Sequence, residues 1–272
     1  MIYDLQKASV WKRISAFLFD IILLSIVVVG SAFLLSVATG YDAKSRRYHE
    51  AVEEVQKKHE GLNFNISRTE YETLPQEKQA EYDDYFRELN GSEEAVYYFN
   101  LTVNLSMIIV TAGILIGYLI LEFALPMILG NGQTLGKKIF GIAVMRTNGV
   151  KVNGPVMFIR TVLGKFAIET MIGAYIVIMF LFGKADLLMI ILFFLIPIVS
   201  IITMIATKTN SPIHDLLAGT VTVDLSSQMI FASEDEMIAY KKRIHAEQAE
   251  REREYKLSDG NSENTESNTK QK

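Results

Sequence analysis

Hydrophobic residues in this 272-residue chain are concentrated in four long runs instead of being spread through it. The runs occupy residues 14–38, 105–130, 166–183 and 187–206, and together they contain three acidic residues and no basic residue. A helix needs about 20 apolar residues to cross a hydrocarbon core about 30 Å thick, whereas a helix at the surface of a soluble core carries a polar stripe. The pattern therefore predicts an all-α membrane protein with four transmembrane helices.

The distribution of charge predicts how these helices are oriented. Residues 131–165 contain six Lys or Arg and no acid, whereas residues 41–104 contain eight basic and fourteen acidic residues. Because short loops rich in Lys and Arg stay in the cytoplasm, we expect the 131–165 loop and both termini to be cytoplasmic. The segment after the first span then faces outward, and it has no cysteine for disulfide stabilisation.

This outer segment, residues 39–104, has the composition of a helical hairpin. We expect one helix over residues 44–60, a second from near Pro75 to near Asn90, and a third that opens at Ser92 and continues into the second span. Its tyrosines either form a ligand surface or pack the hairpin and line the lipid interface, and known interfacial enrichment favours packing.

A small β-hairpin is predicted in the basic loop. The stretches "IAVMR" and "VKV" flank Thr147-Asn148-Gly149, and Asn-Gly between alternating residues is a strong hairpin signal. "GTVTVDL", after the fourth span, alternates in the same way and could add a third strand. Thr134 is placed to cap a short helix ahead of the hairpin.

Residues 155–165 are apolar but carry Arg160 and Lys165. This combination indicates an interfacial helix whose long cationic side chains reach the lipid headgroups. After the fourth span, Ser233 fits a capping box that starts a charged helix, and the polar C-terminal tail is expected to be disordered.

The pattern thus divides the chain into consecutive segments. They are a cytoplasmic N-terminus (1–13), the first span (14–38), the outer helical insertion (39–104), the second span (105–130), the basic loop with its β-hairpin and interfacial helix (131–165), the third and fourth spans (166–183 and 187–206), a cytoplasmic segment containing His214-Asp215 (207–224), and a charged helix with a disordered tail (225–272).

Asp20 is the most informative residue of the first span. An acidic residue near the centre of a span costs about 2.5–3.5 kcal/mol and generally faces a partner or a water-filled cavity. Arg13 lies about two helical turns earlier on the same face, at headgroup level, where it can extend to the interface. Arg13, Arg160 and Lys165 are the candidate partners of Asp20.

A second set of ionisable residues forms a candidate polar network: Glu122, Arg160, Lys165, Glu169 and His214, next to Asp215. These residues either fix the register of the helices or handle ions, since ionisable residues in membranes are functional candidates by default. His214-Asp215 resembles a catalytic dyad, but no nucleophile in a defined setting accompanies it. We therefore expect no enzymatic activity, and the sequence contains no cofactor or metal motif.

The blocks "RISAFLFD", "GQTLGKKIFGIAVMR" and "SPIHDLLAGTVTV" resemble the RDD family of integral membrane proteins. The resemblance covers residues 9–224 and implies that Arg13, Asp20 and Asp215 are the signature residues, in a bacterial plasma (inner) membrane. Transport is the activity usually suggested for the family, including cation/proton antiport. The insertion and the tail are additions to this common part.

Two hypotheses follow for function. In the first, the protein carries protons, cations or small solutes through buried acids, working as a homo-oligomer because four spans are few for a transporter. In the second, it is a non-transporting adaptor that docks a protein partner through the 39–104 insertion or its cytoplasmic face. The lipid bilayer is a partner in both, and nucleic acid is not expected because the basic loop is short and lies at the bilayer surface.

Overall fold

The computed structural model describes residues 5–170 and 187–269, and it describes side chains at residues 5–170, 191 and 194–254. The predicted third span, residues 166–183, therefore lies outside the described residues beyond Thr170. The described chain is mostly helical, and it divides into two compact units. One unit comprises Met1–Phe19 with Phe123–Lys272, and the other comprises Asp20–Glu122.

The Asp20–Glu122 unit is built from helices that follow one another closely. They are α1 (Val10–Thr39, which begins in the other unit), α2 (Tyr41–Lys58), α3 (Arg68–Thr73), α4 (Gln76–Gly91) and α5 (Glu93–Gly117). Gly40 separates α1 from α2 with a φ of 61°, a left-handed conformation that glycine adopts without steric cost. Ser67 caps α3 through a complete capping box with Glu70, and Ser92 caps α5.

Tyrosines pack the interior of the insertion. Tyr82 and Tyr85 of α4 are buried with Ala51 and Val55 of α2. The hydroxyl of Tyr82 accepts a hydrogen bond from the backbone N–H of Asn63 at 3.1 Å, which ties the loop after α2 to α4. These two tyrosines therefore act as core residues rather than as a ligand surface.

The apolar parts of α1 and α5 approach each other closely at two glycines of α5. A Cβ atom on Gly113 would lie 3.3 Å from the carbonyl oxygen of Val28, and one on Gly117 would lie 2.9 Å from Cδ1 of Leu24. Small residues four apart permit such close packing of helices in membranes. A side chain larger than a methyl group at Gly113 would therefore push against the backbone of α1.

The other unit continues the chain through short elements. They are a π-helical turn π1 (Tyr118–Ala124), α6 (Leu125–Leu129), α7 (Leu135–Ile139), β1 (Ile142–Arg146), α8 (Gly154–Phe158), a longer π-helix π2 (Ile159–Glu169), α9 (Leu187–Ala206), α10 (Ile213–Ala218), β2 (Thr220–Asp224) and α11 (Glu234–Thr269). As the sequence predicts, Thr134 caps α7 by accepting a hydrogen bond from the backbone N–H of Lys137.

Within the described residues, the sheet has two antiparallel strands, β1 and β2, in which Val144 pairs with Thr222. The predicted local partner of β1, residues 150–152, contributes only isolated bridges, including one from Lys151 to Met145. The reason is that Asn153 caps α8 directly afterwards, so the return strand ends before a ladder can form. The stretch expected as an additional strand is the principal partner.

Two helices of the described chain are long and apolar enough to cross a membrane, Val10–Thr39 and Glu93–Leu129. Both coincide with predicted spans. Many apolar side chains of α1 are exposed, among them Ile22, Ile26 and Phe33. Exposed apolar surface on this scale is typical of contact with lipid or another apolar partner. The fourth predicted span coincides with α9, whose residues Phe194–Ala206 form a shorter apolar helix.

The tail helix α11 begins where the sequence predicts, because Ser233 accepts a hydrogen bond from the backbone N–H of Glu236 and the Glu236 carboxylate accepts one from the N–H of Ala232. The helix then continues to Thr269, through a segment for which disorder was expected. It contains no proline, and pairs such as Arg243 with Glu247 lie one turn apart, an arrangement that supports solvated helices.

The packing of α5 on α1 gives the first testable prediction. Replacing Gly113 by Leu should lower the free energy of unfolding by about 1–3 kcal/mol, because the side chain has to displace the backbone of α1. Gly30→Leu is the matched control, since a Cβ on Gly30 meets no atom within 4 Å. Unfolding of purified protein in mixed micelles measures both, and equal stability of the two variants would contradict the packing.

Candidate functional site

The site is organised around helix α10, which presents His214 and Asp215 to the interior of its unit. The helix follows Pro212 and ends at Gly219, so these residues occupy its first turn. Both side chains are buried, and that of Asp215 is only 1% exposed. Strand β2 follows at once and brings Thr220 and Thr222 beside them.

Asp215 forms a buried ion pair with Arg160 of π2. Its Oδ1 accepts a hydrogen bond from Nε of Arg160 at 2.8 Å and another from the hydroxyl of Thr220 at 2.7 Å. The side chains of Arg160 and Asp215 are 2% and 1% exposed. Arg160 was expected to extend to the lipid headgroups, and this prediction was wrong. The partner of Arg160 is a carboxylate 55 residues later in the sequence, which no local pattern indicates.

His214 joins this ion pair to Glu169 at the other end of π2. Its Nδ1 lies 2.7 Å from Oε2 of Glu169, and its backbone N–H donates to Oε1 at 3.0 Å. Its Nε2 lies 3.1 Å from the Arg160 guanidinium. Because the guanidinium only donates, Nε2 is the acceptor and the neutral ring carries its proton on Nδ1, directed at Glu169.

Ser200 of α9 completes the coordination of Glu169. Its hydroxyl donates to Oε1 of Glu169 at 2.6 Å and also accepts a hydrogen bond from the backbone N–H of Ile213. Thr203 donates a hydrogen bond to the backbone carbonyl of Ser200. Ser200 thus connects α9, α10 and π2.

The π-helical geometry of π2 allows the adjacent residues His214 and Asp215 to contact both ends of this helix. Arg160 and Glu169 are nine residues apart, which places them on opposite sides of an α-helix with 3.6 residues per turn. A π-helix has i→i+5 hydrogen bonds and about 4.4 residues per turn, so nine residues make about two full turns. Thr170 donates to the carbonyl of Lys165 in this pattern. Arg160 and Glu169 therefore share the face that contacts α10.

Gly164 lies on the same face and allows α10 to come close. A Cβ atom at position 164 would lie 2.7 Å from Cβ and 2.8 Å from Cα of His214. No side chain fits there without moving the backbone of α10. The sequence gives no signal for this role, since a lone glycine in an apolar segment has many explanations.

Arg13 also belongs to this neighbourhood. Its guanidinium donates to the backbone carbonyls of Asn210 and Thr222, which flank α10 on both sides. The side chain is buried rather than extended to the interface, contrary to the prediction. Arg13 therefore ties the start of α1 to the chain on both sides of α10.

Three predicted residues remain, Asp20, Glu122 and Lys165. Asp20 is half-buried in α1 and belongs to the Asp20–Glu122 unit, as does Glu122, which is buried in π1 just ahead of Pro126. Lys165 is half-buried within π2, one turn before Glu169. Arg160, which the sequence offered as a partner of Asp20, forms an ion pair with Asp215.

The electrostatics favour an ionised Asp215 and a neutral His214. Burial alone would raise the pKa of Asp215, but Arg160 and the hydrogen bond from Thr220 lower it below its ordinary value. Burial lowers the pKa of His214 below 6.5, although Asp215 and Glu169 oppose this shift. Both groups therefore stabilise the fold above their ordinary pKa values, and this stabilisation is lost as the pH falls through the acidic range.

The described site brings together two carboxylates, an imidazole and a guanidinium. No serine, threonine or lysine is positioned by His214 as a nucleophile among the described contacts. Nor do the residues that were described contain a group of three or more His, Cys, Asp or Glu side chains able to hold a metal ion.

Comparison with known proteins identifies the class. The sequence profile of the RDD family matches residues 7–219, which is more than half of the chain. The chain therefore belongs to the RDD family, whose members are membrane proteins. No curated protein and no solved structure matches it. The matched region contains Arg13, Arg160, Glu169, His214 and Asp215, but ends just before strand β2.

The buried ion pair predicts a large effect of Asp215→Asn. Leaving Arg160 charged and without its carboxylate should lower the free energy of unfolding by about 3–5 kcal/mol. Asp84→Asn is the matched control, because Asp84 pairs with Arg87 at the surface and such pairs contribute about 0–1 kcal/mol. Unfolding in mixed micelles at pH 7 measures both, and comparable losses would refute the assignment of Asp215.

The close approach at Gly164 gives a separate prediction. Gly164→Ala should push α10 away from π2 and lower the free energy of unfolding by about 1–3 kcal/mol. Gly154→Ala provides the control, since a Cβ at Gly154 meets nothing within 4 Å. If both substitutions are tolerated equally, His214 does not lie against π2 as described.

Proposed function

We propose that this RDD-family membrane protein transports protons or cations across the plasma membrane through the Glu169–His214 pair. In this proposal the chain has four transmembrane helices and cytoplasmic termini, and it works as a homo-oligomer. The site then lies where the third span begins, at the cytoplasmic side. Nothing in the proposal requires a cofactor.

The observation that carries the proposal is the coordination of Glu169. Its carboxylate accepts three hydrogen bonds. Two come from His214, from Nδ1–H and from the backbone N–H, and the third comes from the hydroxyl of Ser200. The neutral ring of His214 donates to this carboxylate, so the two groups share a hydrogen bond along which a proton can pass. Ionisable residues at such positions mark ion pathways in many membrane proteins.

The two acids of the site have different tasks in this mechanism. Asp215 is fully buried and fixed by Arg160 and Thr220, so it stays ionised and holds the site together. Glu169 is held through neutral donors, and its side chain is 17% exposed. Glu169 is therefore the better candidate for the exchangeable group, and Asp215 is assigned a structural role.

π-helical segments give additional support. Such segments are rare and are frequently found at functional sites. In the described chain π1 contains the buried Glu122, and π2 contains Arg160 and Glu169. Helix irregularities thus coincide with the ionisable residues that the sequence singled out.

Flux measurements test the proposal. Purified protein in proteoliposomes should move protons in response to an imposed sodium or potassium gradient, and Glu169→Gln should reduce this flux at least about tenfold, since removing a required proton-transfer group typically costs about 10²–10⁴-fold. Glu72→Gln, at an exposed position of α3, is the matched control. Absence of flux in the wild type, or equal flux in both variants, would contradict the proposal.

Partner docking through the 39–104 insertion is the second candidate function. It is supported by the compact core that α2 and α4 form within the Asp20–Glu122 unit. A wild-type protein that folds and reconstitutes but shows no ion-coupled flux would favour this alternative.

A further inference from the structure

The contacts at the two ends of π2 differ in strength. Arg160 and Asp215 form an ion pair whose side chains are 2% and 1% exposed, whereas those of His214 and Glu169 are 11% and 17% exposed. The first contact is buried and joins opposite charges. The second joins a carboxylate to a neutral ring and a hydroxyl, and it weakens when the carboxylate loses its charge.

A π-helix is itself less favourable than an α-helix and seldom extends over several turns. The eleven residues of π2 therefore depend on tertiary contacts for their geometry. The contacts of Glu169 with His214 and Ser200 supply this constraint at the C-terminal end. Without these contacts, the α-helical form of the segment is the more stable one.

We propose that π2 switches between two helical forms and thereby holds Glu169 in one of two positions. The segment converts from a π-helix to an α-helix when Glu169 breaks its hydrogen bonds with His214 and Ser200. This inference rests on the proposed function and supplies its conformational step. Arg160 remains bound to Asp215 in both forms, so it acts as the fixed end. Glu169 moves from the face that contacts α10 to the opposite face, a rotation of roughly 160° by the residues per turn of the two helices.

The charged and polar groups around Glu169 are compatible with such a release. His214 faces it from α10 and Ser200 from α9, while Lys165 lies one turn earlier on π2 itself. Binding of a proton or cation neutralises the negative charge of the Glu169 carboxylate, and the hydrogen bonds from these donors then weaken. The same event therefore loads the carboxylate and frees it to turn.

Two residues of π2 distinguish the two helical forms, because one changes its direction in the switch and the other keeps it. Relative to Arg160, Ala167 points roughly 150° away in the π-helix but within about 20° of the same direction in an α-helix. Val162 points roughly 160° away from Arg160 in either form. Because the chain contains no cysteine, a single cysteine at either position can be labelled specifically.

Thiol labelling with N-ethylmaleimide in detergent micelles tests the switch. With Glu169 present, Ala167→Cys should react readily. Combined with Glu169→Ala it should react about tenfold more slowly, because the thiol then faces α10 and reactivity follows exposure. Val162→Cys, the matched control, should change less than about twofold between the same two backgrounds. Ser200→Ala, a milder change, should slow Ala167→Cys to an intermediate rate.

Equal labelling of Ala167→Cys in all three backgrounds would overturn the switch, and so would parallel slowing at both positions. Circular dichroism and gel filtration verify that each variant is folded, and the Ser200→Ala background decides the matter if Glu169→Ala does not fold. Labelling does not depend on transport. Flux without a labelling change rejects the switch alone, whereas a labelling change without flux rejects the transport proposal alone.

Discussion

The buried ion pair between Arg160 and Asp215 is the interaction on which the rest of this structure depends. Two charges removed from water cost several kcal/mol each unless each meets an opposite charge and further hydrogen-bond partners. Here Thr220 and the ring of His214 supply those partners. Because the partners come from β2, α10 and π2, satisfying the charges fixes the position of all three elements.

That constraint also explains why the helix before the third predicted span is a π-helix. His214 and Asp215 are adjacent, yet they bind residues nine positions apart on π2. Only a helix with more than four residues per turn brings both residues to one face over two turns. Gly164 lies between them on that face and lets the backbone of α10 come near. The geometry thus separates a buried charge pair from a more exposed carboxylate, that of Glu169.

The sequence predicted much of the local structure but few of the long-range contacts. Apolar runs and caps located α1, α5 and the start of α11, because these signals lie within a few residues of one another. The pairing of 142–146 with 220–224 could not be predicted, since the local Asn-Gly signal favoured residues 150–152 and the cap at Asn153 stops that pairing. Arg13 and Arg160 were expected at the interface because nothing local reveals their distant acceptors. No residue composition signals the i→i+5 pattern of π2.

The coupling free energy between Arg160 and Asp215 is the most direct test of this account. A double-mutant cycle with Arg160→Met and Asp215→Leu, measured by unfolding in mixed micelles, isolates the pair from the single losses. We expect each single substitution to be strongly destabilising and the double variant to recover at least about 2 kcal/mol relative to their sum, because it leaves no unpaired charge. Additivity within about 0.5 kcal/mol would show that the two residues do not form the pair that organises the site.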